Sequence, residues 1–164
     1  MQVISNKKIL KFLKIAKSIL SFIKYPPQGI RGASGFTRAT QYGAKDFQNH
    51  VLNSNRSIFI SLLIESTEGI QNAKEISKIE GVDNLYFGTY DIASSIGDEN
   101  QKGKNIQNII KETIDYIGDN ISFGQVCVDS NQFQSLDSRI NMIVCGVDCG
   151  IILNGAISAN KGFI

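Results

Sequence analysis

No acidic residue precedes Asp46 in this chain of 164 residues, although nine Lys or Arg do. With a formal total of +2, everything after Lys45 carries −7. Such asymmetry can mark contact with nucleic acid or a membrane surface. It equally fits a basic helix lying on one side of a fold whose other surfaces are acidic. Long uncharged apolar runs are missing too, so no membrane-spanning helix of about 20 residues is expected. Cysteine is scarce and odd in number: Cys127, Cys145 and Cys149. All three stand in apolar surroundings, without a disulfide framework or the CxxC-plus-histidine spacing of a zinc site. They read as reduced core thiols of a cytoplasmic protein. The single histidine, His50, reads as a surface residue.

What is present is the composition of a soluble globular domain, 42% hydrophobic and 20% charged, in a chain long enough for one real core. The basic segment "NKKILKFLKIAKSILSFIK" places Ile9, Phe12, Leu13, Ala16, Ile19, Leu20 and Ile23 at helical spacing, with Lys7, Lys11 and Lys14 opposite. A secretory signal does not fit, because lysines interrupt every candidate apolar core and no small-residue cleavage site follows. A helix lying on a membrane surface is the weaker alternative. A helix packed on its own domain is favoured. It must stop before Tyr25-Pro26-Pro27, since each proline biases its predecessor away from helix.

A Gly-rich loop over 25–43 and a helical segment over 44–52 lead to a polar turn, "NSNRS". From Ile58 a rhythm sets in: strand "IFISLLIE", helix "STEGIQNAKEISKIEG", strand "VDNLYFG", helix "NIQNIIKETIDYIG", strand "ISFGQVCV", helix "SNQFQSLDSRI", strand "NMIVCGVD" and a last apolar helix, "GIILNGAISA". Ile70, Ala73, Ile76 and Ile79 give the first of these helices a sheet-facing stripe. Nearly continuous apolar strands alternating with helices predict an α/β fold with a parallel sheet buried on both faces. Four βα units are too few to close an eight-stranded barrel of about 250 residues. Periodicity leaves a small open sheet and part of a barrel as equal alternatives.

In parallel α/β folds function gathers where strands end. Here the ends carry Glu65, then Gly88 with Asp91 just beyond, then Asp129, then Asp148. Two carboxylates at one rim would make a hard oxygen site for Mg2+ or Mn2+. The competing reading is a helix N-cap or turn former, which is preferred for Asp129 and Asp148. Pattern alone does not decide between the two for Glu65 and Asp91.

"YPPQGIRG", "IEST" after a strand, "IEGVDNLYFGTYDIASSIG" and "VCGVD", in that order, resemble the HpcH/HpaI aldolases, metal-dependent pyruvate aldolases related to citrate lyase β subunits. The resemblance runs from about Lys24 to the end. It implies the last four βα units of a (β/α)8 barrel of the phosphoenolpyruvate/pyruvate-binding type, preceded by a helix. It implies a single aldolase-like domain over 1–164, N-terminally incomplete, with the basic amphipathic helix over 1–24. Carried over, Glu65 and Asp91 match the metal carboxylates for Mg2+ or Mn2+. Gly88, Thr89, Tyr90 and Asp91 match the substrate-binding turn. The implied activity is a lyase that cleaves or forms a C–C bond between pyruvate and an aldehyde, as in 2-keto-3-deoxy sugar-acid aldolases.

The sequence departs from the family pattern where Thr89 replaces a proline and Leu63 a glutamine. The family's catalytic histidine and arginine lie on strands that have no counterpart here. Arg31 and Arg38 lie in the matched loop and read as solvated or structural. The expected partners are a 2-oxo acid and an aldehyde, plus copies of this chain or a companion chain completing the barrel. Nucleic acid and membrane are not among them. The alternative is a catalytically inactive truncated paralogue acting as an association module.

Overall fold

A computed structural model of the chain describes residues 6–97 and 104–161. Helix α1 (Asn6–Ile23) and a 3-10 segment (Arg38–Gly43) precede α2 (Phe47–Ser57). There follow β1 (Ser61–Ile64), α3 (Thr67–Ser77), β2 (Asn84–Phe87), α4 (Thr89–Ile96), α5 (Lys104–Ile117), β3 (Ser122–Val126), α6 (Ser130–Ser135), β4 (Ile140–Val144) and α7 (Asp148–Asn160). The strands form one parallel sheet in the order β1-β2-β3-β4. Sequential order with right-handed crossovers sends every connecting helix to the same face. A doubly wound sheet would instead reverse its order and place helices on both faces. The arrangement is that of a slice of a barrel wall.

Side chains alternate across the pleat. Ile64, Leu85, Phe87, Phe123 and Ile140 point to the helix layer, where they join Ala73, Ile76, Ile110 and Ile114 in one buried cluster. Phe87 and Phe123 stack with ring centroids 6.2 Å apart. Of the stripe the sequence predicts, Ala73 and Ile76 are buried and Ile70 partly so within α3. Ile79 is buried but lies past the helix, which ends at Ser77 and not at Gly81. Local caps fix the helix starts. Asp46 accepts from the N–H groups of Gln48 and Asn49, and Ser66 accepts from Gly69. Helix α1 stops at Ile23, just before the Tyr-Pro-Pro sequence.

Several expectations are corrected. The sheet is covered on one face only, and Leu63 on the other face is 54% exposed. An apolar strand run therefore does not by itself show that the described residues cover both faces of the sheet. The polar stretch 53–57 is the end of α2, not a turn. It is helical because Asn55 is buried, accepting from Tyr25 N–H (2.8 Å) and donating to its carbonyl (2.9 Å). Helix α6 ends at Ser135, five residues early, because Leu136 turns to extended backbone. Helix α4 was not expected from the sequence at all. Within α1, Ala16 and Leu20 are buried but Ile19 faces outward with Ile15 and Phe22. Of the cysteines only Cys127 is buried; Cys145 and Cys149 follow the edge strand and are exposed. His50 is half-buried, its ring 6.1 Å from that of Tyr25 and 6.3 Å from Phe47.

Candidate functional site at the strand ends

Strand β1 pairs Ile64 with Phe87 of β2, so the next residues, Glu65 and Gly88, emerge side by side at the carboxyl end of the sheet. The fit is close. A Cβ on Gly88 would lie 3.2 Å from Glu65 Cβ and 3.4 Å from Leu63 Cδ1. Gly88 also donates its N–H to the Ile64 carbonyl (2.9 Å), locking the two ends together. Its own carbonyl accepts from Ile92 N–H, which starts α4.

Gly88 is thus the N-cap of α4 and has no side chain with which to cap it. The first-turn N–H groups of Thr89, Tyr90 and Asp91 are left without a side-chain acceptor at the positive end of the helix dipole. That is the chemistry of an anion cradle for a carboxylate. Asp91 stands in this first turn and is exposed, as is Glu65. Neither carboxylate takes part in a hydrogen bond or ion pair among the described residues. The orientation of α4 is held from outside the site. Ser95 Oγ accepts from Thr67 N–H at 2.7 Å and bonds the Thr67 hydroxyl at 2.7 Å, tying α4 to the start of α3.

The other acids separate from this pair. Asp129 caps α6 by accepting from Gln132 N–H (2.8 Å), and Asp148 accepts from Cys149 N–H (2.7 Å). Asp129 is thus the N-cap of α6, whereas Asp148 is the first residue of α7 and Val147 stands at the N-cap. Arg31 packs its guanidinium 4.6 Å from the centre of the Tyr25 ring, a structural contact. His50 shares that aromatic cluster and approaches Ser54 Oγ at 3.5 Å through Nε2.

Among the described residues no three His, Cys, Asp or Glu side chains converge. A cation at this rim would draw on the two exposed, unengaged carboxylates, with water or substrate supplying its other oxygens. Mg2+ characteristically binds through one or two carboxylates and keeps several waters, so the donor set fits a hard divalent ion.

Sequence reasoning did not single out Tyr86, which lies half-buried on the uncovered face two residues before Gly88. Burial pushes its phenol up from the ordinary value. Gly124 gives it room, since a Cβ there would lie 2.7 Å from Tyr86 Cδ2. A glycine inside an apolar strand was the available signal.

A model of the HpcH/HpaI aldolase/citrate lyase family matches residues 11–154. The chain belongs to that family. It is 38% identical over 88 residues to a pyruvate aldolase of Rhizobium etli, a match spanning 54% of this chain and 34% of that protein. It is 37% identical over 82 residues to a 5-keto-4-deoxy-D-glucarate aldolase of Escherichia coli, spanning 50% of this chain and 31% of that one. The matched segment is thus about a third of the length of these curated relatives. Among solved structures, a HpcH/HpaI aldolase/citrate lyase family protein from Burkholderia cenocepacia superposes with a TM-score of 0.75 at 19% identity, covering 92% of this chain and 60% of that one. The open four-stranded sheet is accordingly a partial barrel. No described helix is long and apolar enough to cross a membrane.

Proposed function

We propose that this chain is the metal-binding portion of an aldolase that makes or breaks a C–C bond between pyruvate and an aldehyde. The observation that carries the reading is the pairing at one rim of two free carboxylates, Glu65 and Asp91, with the uncapped first turn of α4. The names of the matched relatives support the same chemistry. Glu65 and Asp91 would hold Mg2+ or Mn2+. When bound, such an ion supplies Lewis-acid polarisation of a keto oxygen. The chain's own groups bind and orient: the N–H groups of Thr89 and Tyr90 receive the 2-oxo acid's carboxylate. Gly88 keeps the approach clear of a side chain, and the Thr67–Ser95 contact stops the turn from drifting. Holding the carboxylate at two points fixes the plane of the oxo acid, the positioning on which such a reaction depends.

The test is Mn2+ binding followed by pyruvate release from 2-keto-3-deoxy acids. Glu65→Gln and Asp91→Asn should each weaken Mn2+ binding by at least about tenfold with the fold intact. Unchanged Mn2+ affinity in both variants would end the proposal. Metal binding without pyruvate release would favour the second reading, an association module. The uncovered sheet face supports that alternative.

A further inference from the structure

We infer that a cavity behind the first turn of α4 is a binding site for a small, uncharged, hydroxyl-bearing molecule. The cavity measures about 140 Å3 and lies among α4, α5, the end of β3 and α6. Its key residue is Gln125. In register, Gln125 lies between Phe87 on β2 and Ile143 on β4, an amide set in an otherwise apolar layer. Gln125 is 2% exposed, and its Oε1 has no hydrogen-bond partner among the described residues. A buried acceptor left unpaired is unfavourable and rare, so a donor is called for at this point.

The rest of the lining says which donor. Tyr90, Gln107, Gln132 and Ser135 bring hydroxyl and amide groups, while Ile106 and Val126 bring apolar wall. Gln132 Oε1 already accepts from Val128 N–H, which leaves its amide NH2 for a ligand. Among the described residues no charged side chain lines the cavity. An ionised ligand would enter without a counter-charge, which low-dielectric surroundings penalise. Apolar wall with a few convergent hydrogen-bonding groups is the composition of a small-molecule site. An engineered cavity of about 150 Å3 admits benzene, a six-atom ring, so this one suits a ligand of about six heavy atoms. A three-carbon polyol or hydroxyaldehyde meets the size, neutrality and donor requirements together.

Binding is read without catalysis, so its failure and that of the aldolase reading are separable. The probe is glycerol, titrated into 15N-labelled protein, with lactate as the charged control. Glycerol should give saturable shifts at the side-chain amides of Gln125, Gln107 and Gln132, and lactate should not. Gln125→Met, of similar volume but without the acceptor, should weaken binding about tenfold. Gln132→Met provides a second variant should Gln125→Met not fold, with the same expectation. Shifts that never saturate, or equal affinity in the variants, would mean a cavity that holds water only and would overturn the inference.

Discussion

Asn84 shows how one side chain can register a sheet. It is fully buried, yet its Oδ1 accepts from Ser61 Oγ on β1 (2.7 Å) and its Nδ2 donates to Ser122 Oγ on β3 (2.9 Å). Ser122 in turn donates to Asn141 Oδ1 on β4, so a polar chain crosses all four strands. Asn84→Ala would leave two serine hydroxyls short of a partner and open a gap. Urea unfolding should show a loss of about 2–3 kcal/mol. Asp137 makes a different kind of statement. Arg139 donates to both of its oxygens at 2.8 Å and also reaches Asp115 at 2.6 Å. Those hydrogen bonds hold the Asp137 carboxyl below the usual carboxylate range, against the opposing effect of burial. A carboxyl whose pKa is lower folded than unfolded stabilises the fold above its unfolded pKa. It loses that contribution as pH falls through the folded value. Asp137→Asn should therefore lower the urea midpoint near neutral pH, and the gap from the parent protein should close as pH drops below the usual carboxylate range.

The elements divide by how locally they are specified. Helix α3 was legible because cap and apolar stripe agree over Ser66, Ile70, Ala73 and Ile76, although it stops at Ser77 and not at Gly81. The parallel sheet was legible from the alternation of strand and helix. Helix α4 was not, since its cap is a glycine and its eight residues follow a strand without a break. The strand-end positions of Glu65 and Asp91 could be read from the sequence although pattern alone did not decide their role, and the uncapped first turn beside them depends on that same unseen helix. The extension of α2 through Asn55 rests on a contact thirty residues away in sequence, which no local pattern carries. Helix α1 illustrates the remaining ambiguity. Its sequence offers an apolar arc wider than the face that docks on α3, so Leu20 is buried while Phe22 is 62% exposed. Leu20→Ala should cost about 2–4 kcal/mol in urea unfolding, and Phe22→Ala about 0.5 kcal/mol or less. Gly81, with φ +91° and a would-be Cβ 2.9 Å from Leu20 Cδ2, marks where the α1 contact closes.

At the scale of the whole molecule, the described structure leaves apolar surface in two places. One is the sheet face carrying Leu63 and Val144, flanked by the edge strands β1 and β4. The other is α7, which has no buried residue and is exposed at every position but the half-buried Gly150, including Ile151, Ile152, Leu153 and Ile157. A contiguous apolar patch beyond a few hundred Å2 and an unpaired parallel edge both invite association. The packed side, by contrast, is well formed: Ala73, Leu85, Phe87, Ile110 and Ile114 are completely buried. The described residues thus pack one helix layer and leave the other face of the sheet open. Sedimentation velocity should therefore show association that grows with protein concentration, together with binding of a hydrophobic dye. Leu63→Glu on the sheet face and Leu153→Glu on α7 alter exposed positions, so each should leave the unfolding midpoint within about 0.5 kcal/mol of the parent. If the sheet face is the interface, Leu63→Glu suppresses association and Leu153→Glu does not. The reverse result would assign the contact to α7. A monomer at every concentration, with no dye bound, would refute association through either surface.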